Sequence, residues 1–164
     1  MIEDAMQKID RQVAFTGTKD IAEPLRFDVA RLEAYLARQV PRFEGPLTVR
    51  QFKGGQSNPT YLLETPARKY VLRRKPPGKL LPSAHAVDRE FRVIQALSAK
   101  RFPVARPVLY CADETVAGTP FYVMSFVEGR VFWNPDMPGS NPDERFGIYN
   151  TMIGTMARLH CYDI

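Results

Sequence analysis

The chain has 164 residues, 45% of them hydrophobic and 25% charged, a composition that fits a globular protein with a real core and excludes disordered and membrane-embedded classes. The net charge of +5 is spread along the chain, with one concentration at Arg68-Lys69 and Arg73-Arg74-Lys75-Lys79. No run reaches the roughly 18 apolar residues of a membrane span, and Met1-Ile2-Glu3-Asp4 lacks the basic start and apolar block of a signal peptide, so a cytoplasmic protein with no membrane partner is expected. The two cysteines, Cys111 and Cys161, have neither metal-ligand spacing nor disulfide density and are expected to be buried apolar residues.

Residues 1 to 26 carry mixed charge and little periodicity and read as an N-terminal arm. From Asp28, the spacing of Val29, Leu32, Tyr35, Leu36 and Val40 predicts a first helix closed by Pro41. Three short antiparallel strands follow at Leu47 to Phe52, Thr60 to Glu64 and Lys69 to Arg74, separated by a glycine loop and by Pro66-Ala67-Arg68. An irregular connection from Pro76 to Ser83 leads to a helix over Ala84 to Lys100, with Val87, Glu90, Phe91, Ile94 and Leu97 at helical spacing. Two more strands, Val108 to Ala112 and Phe121 to Phe126, flank a turn from Asp113-Glu114 to Gly118-Thr119. The proline-rich stretch Asn134 to Pro142 precedes a last helix from about Asp143, with Phe146, Tyr149, Ile153, Met156 and Leu159 on one face. The expected fold class is α+β, with a five-stranded antiparallel sheet.

The chemistry is expected around the glycine loop, Phe52-Lys53-Gly54-Gly55-Gln56-Ser57-Asn58. Glycine lacks the Cβ that blocks close approach, so such a hairpin can bring backbone N–H groups to phosphate oxygens. Glu90 falls on the side of its helix that faces the sheet, and an inward carboxylate costs several kcal/mol unless it is paired. Arg73, near the end of the third strand, is the expected partner, and a strand cation held by a helix carboxylate is how kinases position nucleotide phosphates. Taken singly, each feature also fits a plainer reading: Glu90 half exposed beside Asp88, Arg89 and Arg92, Arg73 on a solvated edge, and the Gly-Gly pair as an ordinary turn. Their order along the chain favours the joint reading. His85 and His160 read as structural, and Tyr122 and Phe126 as core strand residues.

The ordered set of loop, strand cation and helix carboxylate resembles the aminoglycoside phosphotransferase-like family of kinase-fold enzymes over about residues 27 to 164. The match looks closest to the subgroup associated with acyl-CoA dehydrogenases. The segments that carry it are Phe52 to Asn58, Tyr70-Val71-Leu72-Arg73-Arg74-Lys75-Pro76-Pro77-Gly78 and Asp88-Arg89-Glu90-Phe91. The resemblance implies a kinase-like small lobe over residues 27–126, then a hinge, a linker and the first helix of a large lobe over residues 127–164. It implies ATP and magnesium as cofactors, and nucleotide-binding roles for Gly54, Gly55, Gln56, Ser57, Asn58, Arg73 and Glu90. It also implies that Met124 lines the pocket behind adenine while Ser125 C=O and Val127 N–H read the adenine edge.

Family members carry a His-Gly-Asp catalytic loop and a further metal-binding Asp, and this chain has neither, so no catalytic residue and no magnesium ligand is expected within it. The implied whole is a phosphotransferase moving the ATP γ-phosphate to a hydroxyl acceptor, with a hydroxyacyl-CoA or related metabolite as the acceptor class. This segment alone is expected to be inactive, and its last helix to be covered by the missing large lobe or a partner chain. Two rival readings remain: a noncatalytic nucleotide-binding or interaction module, and a basic nucleic-acid-binding domain. The chain lacks the aromatic and basic interleaving that would favour the last.

Overall fold

The computed structural model describes residues 10–54, 57–81 and 84–162. The chain divides into two compact units, Ala14–Gly129 and the pair of segments Met1–Val13 and Arg130–Ile164.

In chain order the elements are α1 (Arg11–Phe15), β1 (Thr18–Lys19), α2 (Val29–Gln39), β2 (Thr48–Phe52), β3 (Thr60–Glu64), β4 (Lys69–Arg74), α3 (Val87–Ala99), β5 (Pro107–Cys111), α4 (Glu114–Ala117), β6 (Phe121–Ser125) and α5 (Pro142–His160). The sheet is antiparallel with strand order β1-β2-β3-β4-β6-β5. It has six strands, one more than the sequence predicts. The addition is β1, from the stretch read as an arm: Thr18 pairs with Phe52 and Lys19 with Gln51. A two-residue strand is too short to show alternation, so periodicity gives no warning of it. Polar contacts secure this edge, since Gln51 Oε1 accepts from the Ala22 N–H at 3.0 Å and Arg50 Nε donates to Thr18 Oγ1 at 3.0 Å.

Side-chain alternation assigns each strand residue to one face of the sheet. Tyr61, Leu63, Tyr70, Leu72, Phe121 and Val123 are buried with Leu32 and Leu36 of α2 in the main core. This helix begins where Asp28 accepts a bond from the Arg31 N–H at 3.0 Å, a side-chain N-cap, and its two core leucines are one turn apart. The expected turn before β6 is the short helix α4. Asp113 caps its start, and Gly118 ends it at φ +83°, a left-handed conformation suited to glycine.

The opposite face carries Thr60, Leu62, Val71, Arg73, Tyr122 and Met124, by the same alternation and the register Thr60 to Arg73 to Tyr122. The helix α3 packs on this face, with the Phe91 ring 6.0 Å from Tyr110 and 5.9 Å from Tyr122. Adjacent residues on β4 therefore part company. Arg73 points toward α3, whereas Arg74 is 2% exposed in the main core. There it donates to the carbonyls of Ala117 and Leu25, with its guanidinium 5.0 Å from the Phe27 ring centre and 5.6 Å from that of Tyr61. Burial pulls the Arg74 pKa down and pushes that of Tyr61 up.

In the other unit, Asn141 caps α5 by accepting from the Glu144 N–H at 2.8 Å, and Pro142 occupies the first turn. Arg130 pairs with Glu144 and lies over the Phe132 ring. The side chains of Phe146, Met152, Ile153, Met156 and Leu159 are exposed. Cys111 is buried as expected, but Cys161 is exposed, because it follows α5 rather than lying in the sheet core. No helix among the described residues is long and apolar enough to cross a membrane.

Candidate functional site

Between α3 and its face of the sheet lies a cleft of about 800 Å³, inside the range of roughly 300–1,000 Å³ usual for small-molecule sites. Its wall combines apolar Val93, Ile94 and Met124 with polar Ser57, Asn58, Arg73, His85, Arg89, Glu90 and Tyr122.

Glu90 is the hub. One carboxylate oxygen, Oε2, accepts from Arg73 Nε at 2.7 Å and from the Tyr122 hydroxyl at 3.1 Å, while Oε1 accepts from Asn58 Nδ2 at 2.8 Å. The Arg73 and Glu90 side chains are 29% and 34% exposed, so the pair is only partly screened by water. Arg73 engages Glu90 through Nε, and its Nη1 reaches Thr60 Oγ1 only at 3.4 Å. Its Nη2 has no partner among the described residues. The pairing thus fixes the guanidinium yet leaves donors unspent, as anion binding requires. Tyr122 is 2% exposed, and burial first, then the Glu90 carboxylate, pushes its phenol far above its ordinary pKa. The hydroxyl therefore stays protonated and serves as a donor to Glu90.

Asn58 is 2% exposed and extends the network, with its Oδ1 2.8 Å from His85 Nδ1. Its backbone carbonyl accepts from Thr60 Oγ1 at 3.0 Å. His85 sits at φ +58°, the left-handed region, which costs a non-glycine residue on the order of 1–2 kcal/mol and is less unusual for histidine than for most side chains.

Five of the predicted residues, Ser57, Asn58, Arg73, Glu90 and Met124, line this one cleft. Gly55 and Gln56 lie outside the described residues. Gly54, Ser125 and Val127 do not line the cleft. Ser125 instead locks β6 to the segment before β5, its N–H donating to the Arg106 carbonyl at 2.8 Å and its Oγ accepting from the Arg106 N–H at 2.9 Å. Val127, just beyond β6, is 66% exposed. Two members of the cleft's polar network, Tyr122 and His85, were read from the sequence as a core strand residue and a structural histidine. Tyr122 was detectable, because it is aligned with Arg73 across the sheet and must share its face. His85 had no such signal: the sequence places it at the start of a helix over Ala84 to Lys100, whereas α3 begins only at Val87 and leaves it in an irregular segment.

Comparison with known proteins accords with this geometry. A family described as "Phosphotransferase enzyme family" matches residues 48–164. The chain belongs to that family. It is similar to human acyl-CoA dehydrogenase family member 11, 48% identical over 156 residues that make up 91% of this chain and 20% of that protein. Mouse acyl-CoA dehydrogenase family member 10 is 36% identical over 169 residues, 99% of this chain and 16% of that protein. A crystal structure of a Ralstonia eutropha protein, solved as a candidate aminoglycoside phosphotransferase, superposes with a TM-score of 0.69 at 46% identity, over 84% of this chain and 39% of that one. The chain therefore spans about a fifth of the length of the curated relatives and about two fifths of the solved one. The family has the α+β, kinase-like architecture expected from the sequence, here with a six-stranded sheet.

Proposed function

We propose that the cleft between α3 and the sheet is the nucleotide site of an ATP-dependent phosphotransferase. The complete enzyme would pass the γ-phosphate of ATP to a hydroxyl acceptor. The observation that carries this reading is the 2.7 Å pairing of Arg73 Nε with Glu90, which leaves Arg73 donors unspent beside a cleft with an apolar wall. That donor set suits ATP: a fixed guanidinium for phosphate oxygens, and Ile94 and Met124 for a flat apolar ring. In this reading Arg73 holds the phosphates, Glu90 orients Arg73, and Met124 faces the adenine ring from the sheet.

Magnesium does not fit the described residues. None of their His, Cys, Asp and Glu side chains gather in threes to hold an ion, and the Glu90 carboxylate already accepts three bonds. The proposal therefore assigns no metal ligand to the described residues, and in it this segment alone binds nucleotide without turnover. A hydroxyacyl-CoA or related metabolite is the proposed acceptor class, supported by the names of the relatives. The exposed apolar side chains of α5 favour a second, compatible role for that helix, to be covered by a large lobe or a partner chain.

The test is calorimetric titration of ATP into wild type and Arg73→Ala. Loss of a charge-assisted contact should weaken binding by about 1–3 kcal/mol. Equal affinity of the two proteins would remove Arg73 from the site.

A further inference from the structure

The hydrogen-bond network fixes the protonation pattern of the residue that sequence periodicity could not find. An ionised carboxylate only accepts, so the Asn58 group facing Glu90 Oε1 at 2.8 Å must be its NH₂. The Asn58 carbonyl oxygen must then be the atom 2.8 Å from His85 Nδ1, and that nitrogen must carry a proton to donate. This leaves Nε2, on the far side of a ring that lines the cleft, with no partner among the described residues. The charged and titratable groups around the ring are Glu90 and Arg89 on α3, Arg73 on β4 and Tyr122 on β6. The negative charge of Glu90 is already matched by Arg73, so nothing in this set competes for a proton donor at Nε2. His85 adopts its left-handed backbone at an energetic cost, and such conformations cluster at ligand sites.

We propose that His85 is a second phosphate-binding residue of this cleft, which grips the anionic end of a bound nucleotide through Nε2. The inference rests on the nucleotide reading of the cleft and adds to it a residue and a proton. With Nδ1–H committed to Asn58, Nε2 can donate to a phosphate oxygen only as the imidazolium, so binding takes one proton from solvent whenever the free protein holds neutral His85. Because a proton is taken up on binding, affinity falls as pH rises.

The experiment is calorimetric titration of ATP into wild type, His85→Asn and His85→Gln. Buffers of different ionisation enthalpy read proton uptake at pH 6, 7 and 8. Asparagine tolerates the left-handed backbone and reproduces the Nδ1–H donor, but it has nothing at the Nε2 position. Glutamine can place its amide near Nε2. The expected result is about tenfold weaker binding by His85→Asn at pH 6, with the deficit shrinking toward pH 8, and proton uptake in wild type alone. His85→Gln should recover part of the affinity without the uptake, and thermal melts identify any variant whose fold has failed. Wild-type affinity and proton uptake in the folded variants would overturn the role of His85 while the nucleotide reading stands. Failure of wild type itself to bind ATP would overturn both.

Discussion

Glu90→Gln is the perturbation that probes the network at its hub. The amide has one acceptor where the carboxylate has two, and three donors point at it. Arg73 is the cation, so the amide oxygen should turn toward Arg73 and Tyr122, placing its NH₂ against the NH₂ of Asn58. Asn58 is 2% exposed and cannot take the lost bond from water. It must flip, which presents its NH₂ to His85 Nδ1 and forces His85 into the Nε2–H tautomer. Exchange of a charge-assisted bond for a neutral one costs about 1 kcal/mol, already reduced because both partners are about a third exposed. The rearranged Asn58 and His85 add about 0.5 kcal/mol. A total near 1.5 kcal/mol corresponds to a melting temperature lower by about 3–6 °C for a chain of this size. Thermal denaturation measures that shift, and nitrogen NMR of His85 reads the tautomer directly. Unchanged stability together with protonated Nδ1 in the variant would refute the network.

Two further predictions concern stability. Arg74→Ala should cost about 3–4 kcal/mol in urea denaturation, because it empties the space beside Phe27 and Tyr61 and strips the Ala117 carbonyl of its donor. Arg74→Met, which fills the space without burying a charge, should cost less than half as much; equal losses would show that the filled volume contributes nothing and that the lost hydrogen bonds carry the whole cost. At alkaline pH, burial first and then the Cys111 hydrogen bond push the Tyr35 phenol up to about 12. A value raised in the folded state stabilises the fold fully below about pH 10 and loses that contribution as pH climbs through about 12. Tyr35→Phe should therefore lose stability less steeply than wild type over that window in melts at stepped pH, and parallel slopes would contradict the assignment.

The sequence was most legible where a period runs long enough to count. In α2, the one-turn spacing of Leu32 and Leu36 gave both the helix and its buried face, and Asp28 marked its start. In β4, alternation separates Arg73 from Arg74, yet composition alone merged them into one basic cluster with Lys75. The sequence singled out Arg73 for the cleft, but only the structure reveals that its neighbour Arg74 sits in the core. The pairing of Glu90 with Arg73 could be anticipated, because a carboxylate on the sheet side of α3 needs a cation and the preceding strand offered one. Asn58 was expected as a loop residue meeting phosphate, whereas its side chain is buried as the link between Glu90 and His85. Such a link depends on three segments meeting in space, which neither spacing nor propensity encodes. The sixth strand stayed hidden for a related reason, since a two-residue edge is set by its partner rather than by its own pattern.

The most direct test of the account is a proton–nitrogen correlation spectrum of the labelled protein, recorded as ATP is added. The account predicts saturable shifts concentrated at Arg73 Nε, the Asn58 side-chain amide, the His85 ring and the backbone around Met124, with the same concentration dependence at each. Absence of saturable shifts at millimolar ATP, or shifts confined to residues away from this cleft, would contradict it.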